Sequence, residues 1–500
     1  MKGTRVQVLS DIETWIKNLN GPQIFWLTGG AGTGKSAIAW TICWRAADDP
    51  TIMLGGSFFC SRSTGSATQR DVRCVIPTLA QLLARQSLEY SKALAEELAR
   101  NPDVLRKQVK AQIEQLLYKP LLALKSSRVP IVFVIDALDE CGGLPGAPGA
   151  ADDAESHRIV SEMLEALVAL ANFAVKLPVK FLVTSRPETH IRDTPVSDSS
   201  FSEILILHTV SKAQVTADIQ LYLSTRLSSS PQLRARFTSE DVDMLARLSD
   251  GLFIFAATAL QYILSSSADA AAVRFETLLR TSGDSLSMGA AAPLDRMYAL
   301  ILADAVGAHE SANNELPAIL QTLAALLSAR MMLSLSALAD LLNQPKSHLR
   351  ARLSGLHAVV HVPDGDNESG LGTLHASFGD YLFGRADNHL RITATLGHNV
   401  LARGCLDRMT WEDLCFNVSR SRSSFERNPT SVPDGIPLSL IYACLNWAHH
   451  IDSASNRSAF DADIGRIFRP KFLFWLEVTS VLGKIGQAAA LLRIASSMVS

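Results

Sequence analysis

One eight-residue stretch constrains this chain more than any other. It fits the pattern G-x-x-x-x-G-K-[S/T] without a mismatch and consists of Gly29, Gly30, Ala31, Gly32, Thr33, Gly34, Lys35 and Ser36. The apolar segment QIFWL before it predicts a buried strand, and the segment AIAWTI, which starts at Ala37, predicts a helix with one apolar face. A strand, a glycine-rich loop and a helix in this order are the context that a phosphate-binding loop requires.

The residue types in this stretch suit phosphate chemistry. Glycines let the backbone curl so that several N–H groups face one anion, and the start of the helix adds a positive dipole end. We therefore expect the backbone from Gly29 to Ala37 to bind the phosphates of a nucleotide. Lys35 is expected to contact the β- and γ-phosphates, and the Ser36 hydroxyl is expected to bind Mg²⁺. A glycine turn of chance composition is the alternative, and the flanking segments argue against it.

A second part of the site is expected about a hundred residues further on. The run IVFVI over 131–135 is typical of a strand buried on both faces of a parallel sheet, and it ends at Asp136. On a strand next to the one before the loop, Asp136 is predicted to bind the metal, while Asp139 and Glu140 polarise a water. An acidic turn that caps the strand is the alternative. So many carboxylates beside a triphosphate imply Mg²⁺ between them.

Two further sequence features are possible sites. Arg186 follows the strand segment KFLVT and is predicted to contact the γ-phosphate or to stabilise transferred charge; a solvated surface arginine is the alternative. The adjacent His449 and His450 suggest a metal site, but neighbours in a helix point to different faces. We therefore predict that this histidine pair lies on a solvated face.

The order of segments predicts the fold. Strands and helices alternate over about the first 200 residues, which indicates an α/β P-loop NTPase core with a doubly wound parallel sheet. A loop rich in Gly, Pro and Ala is expected over 142–155. Helical periodicity then dominates, and two extended pieces at 358–362 and 370–374 suggest the wing of a winged helix. The predicted domains are the core (1–210), a helical domain (211–290), a winged-helix-like domain (291–392) and a second helical domain (393–500).

Composition excludes some classes of function. A length of 500 residues is too great for a single core, and a net charge of −2 gives no electrostatic reason to expect nucleic acid or an anionic membrane as partner. The seven cysteines are scattered and never form C-x-x-C, so we expect reduced thiols and a cytoplasmic protein. The longest apolar run, 252–264, is too short for a membrane span.

With both nucleotide motifs placed, the chain resembles the NACHT branch of the STAND signalling NTPases. The resemblance is greatest to the fungal, basidiomycete-type proteins that are counterparts of animal NLR immune receptors, and it spans nearly the whole chain. Besides the phosphate loop and its strand, it is carried by GTR at 3–5, SFFCSR at 57–62, PTLA at 77–80, DALDE at 136–140, TSRP at 184–187, GLFIFAAT at 251–258, LHASFGDYL at 374–382 and YACLNWA at 442–448.

The resemblance implies a mechanism. In this family the four domains fold over ADP, exchange for ATP opens them for self-assembly, and slow Mg-dependent hydrolysis resets the switch. It implies ATP/ADP and Mg²⁺ as ligands, a homo-oligomer on activation, protein effector partners, and a role in fungal non-self recognition or programmed cell death. His375 matches the winged-helix histidine that touches the β-phosphate; a core histidine is the alternative. Where many relatives carry G-x-P the chain has Gly251, Leu252 and Phe253, so either Phe253 packs near the base in place of the proline or the base contacts differ, and the choice between ATP and GTP stays open.

Two other functions remain possible at this point. One is a P-loop ATPase or kinase that acts on a separate substrate, and fast turnover with such a substrate would favour it. The other is a NACHT scaffold that binds nucleotide without hydrolysing it, against which the intact Lys35, Ser36, Asp136 and Glu140 argue. Since the chain starts at the NTPase border and ends before any repeat, we expect a short form, a fragment, or a partner that borrows effector and sensor functions.

Overall fold

The fold was analysed on a computed structural model of the chain. The structure describes residues 3–61, 67–124, 128–141, 150–173, 177–188, 191, 202–228, 237–264, 268–283, 293–307, 318–363, 370–410, 413–418, 420 and 435–499. Contacts divide the chain into two compact units, of which the first reaches Met297 and the second begins at Tyr298.

The first unit is built on a five-stranded parallel sheet. Its strands are β1 (Ile24–Thr28), β2 (Met53–Phe59), β3 (Ile131–Asp136), β4 (Val179–Ser185) and β5 (Ser202–Ile206), in the order β2-β3-β4-β1-β5. All pairs are parallel, so the carboxyl ends of the strands lie at one edge. Ligands of open α/β sheets bind outside that edge, and both predicted nucleotide motifs follow strands that end there.

The two faces of the sheet are both buried. Along β1, Ile24 and Trp26 belong to one apolar cluster, while Phe25 and Leu27 belong to another. Alternate residues of a strand point to opposite faces, so each cluster covers one face. The continuous apolar runs of β1 and β3 follow from this double burial, as is typical of parallel sheets flanked by helices.

Helices complete the first unit. The helix α1 (Val6–Lys17) precedes β1, and α2 (Lys35–Asp48) starts directly at the glycine-rich loop. Both contribute to the second apolar cluster, α1 through Ile12 and Trp15 and α2 through Ile38. The remaining helices of this unit are Ala67–Arg70, Val75–Gln86, Leu88–Arg100, Val109–Gln112, Lys119–Leu121, Ala150–Phe173, Lys212–Ser228, Ser239–Leu248, Phe253–Leu264 and Ala268–Gly283.

The second unit is helical apart from a short ladder. Strands β6 (Val360–His361) and β7 (Gly372–Thr373) pair antiparallel. They follow the three helices Ala318–Ser328, Leu335–Leu341 and Lys346–Leu353 and precede the helix whose N-cap is His375. The helices from the unit boundary onward are Pro293–Gly307, Ala318–Ser328, Leu335–Leu341, Lys346–Leu353, Ala376–Asp380, Ala394–Thr410, Leu438–Asp452, Asp461–Val481 and Ile485–Val499.

The α/β core and the later helical part are confirmed, but three details are wrong. The strand next to β1 is β4, and β3 with Asp136 lies one strand further out, because β4 is inserted between them. The predicted loop over 142–155 is helical from Ala150 onward, since that helix runs to Phe173; residues 142–149 lie outside the described residues. The turn-forming residues 364–367 between the two extended pieces also lie outside them.

The third error concerns the histidine pair. His450 is fully buried, whereas its neighbour His449 is partly exposed. The two rings do face different sides of the helix, but one of those sides is the core. His450 Nδ1 lies 2.8 Å from His398 Nδ1, and its Nε2 lies 2.7 Å from the Tyr442 hydroxyl. His450 is therefore buried, with both ring nitrogens hydrogen-bonded, and does not lie on a solvated face as predicted.

Among the described residues, no helix is both long enough and apolar enough to cross a bilayer.

Candidate nucleotide site

The glycine-rich loop links the end of β1 to the start of α2. Gly32 and Gly34 have φ of +76° and +94°, a left-handed conformation that glycine adopts at little cost. The Lys35 ammonium donates to the carbonyl oxygens of Gly29 at 2.7 Å and Gly30 at 2.9 Å, so the side chain folds back over the loop. The loop therefore has the curled backbone with a central lysine that the sequence predicted.

The predicted metal ligands lie together. The Ser36 side chain lies close enough to the carboxylate of Asp136 to lower its pKa, although the two residues come from segments on either side of β4. Burial raises the pKa of the Asp136 carboxyl, while hydrogen bonds with Thr184 and Ser36 and the charge of Lys35 act against that rise. A hydroxyl and a carboxylate that lie close together beside a phosphate loop supply two oxygen ligands of the kind Mg²⁺ prefers.

Thr184 of β4 holds Asp136 in place. Its hydroxyl donates to Asp136 Oδ1 at 2.6 Å and accepts from the Ala137 N–H at 2.9 Å. Ala137 has a left-handed φ of +52°, which turns the chain sharply out of the strand before Leu138. The inserted strand thus fixes both the carboxylate and the turn that follows it. Nothing in the sequence pattern indicated this role, because a threonine at a strand end is common.

Asp139 and Arg186 form a pair, which the sequence did not predict. The Arg186 backbone N–H donates to Asp139 Oδ1 at 2.9 Å, and its side-chain Nε lies 3.2 Å from Asp139 Oδ2. Asp139 is buried and Arg186 is largely buried, so solvent screens the pair only partly. Asp139 thus orients the arginine at the end of β4, which leaves Glu140 as the better candidate for polarising a water.

Charges of both signs surround Lys35. Burial lowers the pKa of its ammonium; Asp139, Asp136 and Glu140 act in the opposite direction, and Arg186 adds to the lowering. The four predicted catalytic or metal side chains that follow the loop therefore all affect the pKa of Lys35; they are Asp136, Asp139, Glu140 and Arg186. A fifth predicted residue, His375, belongs to the second unit and is described below.

A cavity of about 200 Å³ adjoins the loop on the side of α2. It has the rings of Phe253 and Tyr222, the aliphatic chains of α1 and α2, and a few polar groups in its wall; its lining is Thr4, Arg5, Leu9, Gly34, Ala37, Ile38, Thr41, Tyr222, Phe253 and Ala257. Phe253 was the residue expected near a base. The mixture of rings, apolar chains and few polar groups is typical of small-molecule pockets.

Arg5 is a site residue that sequence reasoning missed. It is 6% exposed, its guanidinium lies 5.1 Å from the centre of the Phe253 ring, and its Nη2 donates to the carbonyl of Thr33 at 3.0 Å. Its backbone N–H donates to Asp218 Oδ2 at 3.0 Å. Burial lowers the pKa of this guanidinium, and Asp218 acts against that lowering. The sequence signal for Arg5 was the GTR motif at 3–5, which entered only through the resemblance and without a role at the site.

The loop also contacts the helix Phe253–Leu264. The Ile254 N–H donates to the carbonyl of Gly32 at 3.2 Å, and a β-carbon at Gly32 would lie 2.0 Å from Ile254 Cγ2. Gly32 is thus required both by its backbone conformation and by this close approach. The phosphate loop and the first helical segment therefore share a direct contact.

In the second unit, His375 caps a short helix. Its Nδ1 accepts from the Ser377 N–H at 3.1 Å and lies 2.7 Å from the Ser377 hydroxyl, which in turn lies 2.8 Å from the Tyr298 hydroxyl. Because Nδ1 accepts the backbone N–H, a neutral ring carries its proton on Nε2. The side chain is half-buried, which departs from the alternative of a core histidine.

Part of the chain is similar to a known protein family. Residues 3–186 match the family described as Nephrocystin 3, N-terminal, and no curated protein matches. The matched range includes β1, the glycine-rich loop, Asp136 and Arg186.

Solved structures give only distant similarity. A STAND protein with a tetratricopeptide repeat sensor from Pyrococcus horikoshii has 10% identity and a TM-score of 0.39, over 99% of this chain and 57% of that one. Cdc6p from Pyrobaculum aerophilum has 11% identity and a TM-score of 0.33, over 80% and 94%. The Drosophila ORC bound to DNA has 14% identity and a TM-score of 0.29, over 78% and 87%.

Proposed function

We propose that this chain is a nucleotide-dependent switch of the STAND class and of the NACHT type, which binds ATP or ADP with Mg²⁺ and hydrolyses ATP slowly. The observation that carries the proposal is a curled loop with a central lysine, beside which the Ser36 side chain and the Asp136 carboxylate lie close together. The match of residues 3–186 to a nephrocystin 3 family supports it, because the match includes both motifs.

The side chains of the first unit divide the work on the phosphates. Lys35 leaves its carbonyl partners to contact the β- and γ-phosphates, and the backbone from Gly29 to Ala37 cradles them. Arg186, held by Asp139, faces the charge that develops on transfer. Glu140 orients the attacking water.

The residues present fit a magnesium ion that arrives with the nucleotide. Within the described part of the chain no cluster of three or more His, Cys, Asp or Glu side chains could hold a metal alone. Mg²⁺ is usually bound by one or two protein oxygens together with substrate phosphates and water, and Ser36 and Asp136 are two such oxygens. The ion would supply charge neutralisation at the phosphates.

The cavity beside α2 is the proposed base and ribose pocket. The Phe253 and Tyr222 rings offer apolar surface for a planar base, and the Thr4 and Thr41 side chains lie in the same wall. Arg5 sits between the Phe253 ring and the Thr33 carbonyl, so it couples the pocket to the phosphate loop. The nucleotide that denaturation releases from the purified protein distinguishes adenine from guanine.

The remaining parts of the proposal come from the resemblance. The three helices and the β6–β7 ladder act as a winged-helix-like domain, and His375 Nε2 donates to the β-phosphate of ADP in the closed state. Exchange for ATP opens the domains for homo-oligomerisation with protein effector partners, in a cytoplasmic fungal response to non-self or in cell death. Moving a population from 1:99 to 99:1 takes a difference of about 5.5 kcal/mol between the states.

The test is the nucleotide that the purified protein carries. Denaturation in the presence of EDTA should release ADP in a near one-to-one ratio, and the Lys35→Ala variant should release much less. A folded parent protein that releases no nucleotide and binds neither ATP nor GTP would refute the proposal. Single-turnover hydrolysis then separates the slow switch from a non-hydrolysing scaffold, for which bound ATP would persist.

A further inference from the structure

Two cysteines flank the acidic turn and have no part in the proposed function. Cys60 follows β2 directly, and Cys141 follows Glu140. Their Sγ atoms lie 2.9 Å apart, and both residues are buried free thiols. They are 81 positions apart in sequence, so only the fold brings them together.

Backbone hydrogen bonds tie each of these cysteines to the chain segment that carries the predicted metal and catalytic carboxylates. The Cys60 N–H donates to the carbonyl of Asp136 at 3.0 Å, which extends the β2–β3 ladder beyond the pair of Phe59 and Asp136. The Cys141 N–H donates to the carbonyl of Leu138 at 3.2 Å and closes the turn that carries Asp139 and Glu140. The thiol pair therefore spans the two ends of the segment from Asp136 to Glu140.

We propose that Cys60 and Cys141 are a redox-sensitive modification site, in which oxidation joins them by a disulfide across the acidic turn. A disulfide has an S–S length of about 2.05 Å, so the sulfur atoms need to approach by less than about 1 Å. Disulfides in cytoplasmic proteins are usually transient and redox-sensing. A cross-link here ties the residue after Glu140 to the end of β2.

The oxidant is a hydroperoxide, and the chemistry balances. One thiol transfers two electrons to hydrogen peroxide and becomes a sulfenic acid, with release of one water. The second thiol then attacks the sulfenic sulfur, the S–S bond forms, and hydroxide leaves and takes up the thiol proton as a second water. A dithiol reductant reverses the reaction by exchange.

Burial sets the order of reaction. The thiolate is the reactive form and must meet the oxidant, and both sulfur atoms are shielded in the apolar cluster of the sheet. The exposed Cys415 should therefore react first. Its oxidation serves as an internal reference for the amount of oxidant that reaches exposed thiols. The buried pair should follow more slowly but end in a different product, a cross-link within one chain.

The first experiment maps the thiols of the full chain. The protein is treated with hydrogen peroxide, alkylated under denaturing conditions, digested and analysed without reduction. We expect one cross-linked peptide pair that contains Cys60 and Cys141, lacks two hydrogens and disappears with dithiothreitol. The Cys415→Ser variant should give the same pair. Separate alkylation of Cys60 and Cys141 after prolonged treatment at doses well above the one that consumes Cys415, or pairing of either with another cysteine, would overturn the proposal.

The second experiment tests the consequence and rests on the proposed function. Because the cross-link restrains Glu140 and leaves Lys35 and Ser36 untouched, oxidised protein should bind Mg-nucleotide with similar affinity and hydrolyse it several-fold more slowly. The Cys60→Ser and Cys141→Ala variants should lose this response to peroxide. Equal hydrolysis by cross-linked and reduced protein would remove the regulatory role. Absence of nucleotide binding in the reduced protein would count against the proposed function alone, since the peptide map does not depend on nucleotide.

Discussion

Replacing Thr184 by valine should test how the inserted strand supports the site. The hydroxyl of Thr184 is buried between the Asp136 carboxylate at 2.6 Å and the Ala137 N–H at 2.9 Å. Valine has nearly the same shape but neither donates nor accepts. The substitution therefore removes two buried hydrogen bonds without opening a cavity.

The expected loss in the free energy of unfolding follows from those two bonds. A buried polar group left without its partner costs about 1–3 kcal/mol, and one of the two groups here is a carboxylate. The added methyl group recovers about 0.8 kcal/mol through its burial. We expect Thr184→Val to lower the free energy of unfolding by about 2–4 kcal/mol. In the native protein the Thr184 hydrogen bond lowers the pKa of Asp136, so its loss should raise that pKa further. A carboxyl that is protonated more easily should bind Mg-nucleotide more weakly.

A matched control lies on the neighbouring strand. Thr28 ends β1 and is as buried as a core residue, but its hydroxyl has no hydrogen-bond partner among the described residues. Thr28→Val should change the free energy of unfolding by less than about 0.5 kcal/mol or raise it, since no bond is lost. Urea denaturation followed by tryptophan fluorescence measures both variants. Equal losses for Thr184→Val and Thr28→Val would refute the reasoning.

Three further predictions address other parts of the molecule. Gly32→Ala should weaken nucleotide binding at least tenfold in calorimetry, because its β-carbon would meet Ile254 and its φ is positive; wild-type affinity would contradict the loop contact. Burial lowers the pKa of His398 to about 4, and the charge of Arg330 adds to the lowering. The unfolded chain therefore binds more protons below pH 6.5, and the free energy of unfolding should fall by roughly 3 kcal/mol between pH 6.5 and pH 4. Denaturation at several pH values should show a smaller fall for His398→Gln. His375→Ala should weaken ADP more than ATP in competition binding, and a matched loss for both would remove its proposed role.

The sequence by itself determined the local elements of the nucleotide site. A glycine-rich loop between an apolar strand and a helix has few other uses, and Gly32, Gly34, Lys35 and Ser36 take the predicted places because backbone conformation and helix start are local properties. The apolar run that ends at Asp136 likewise predicted a strand buried on both faces, since the pattern of apolar residues reports burial directly.

Only the tertiary structure decided which segments meet. It placed β4 between β1 and β3, brought Thr184 to Asp136, paired Asp139 with Arg186, and set Cys60 against Cys141. It also turned His450 inward, although nothing in its immediate sequence separates it from His449. Strand order and side-chain partners depend on contacts between residues far apart in the chain, and no single-residue pattern encodes those contacts.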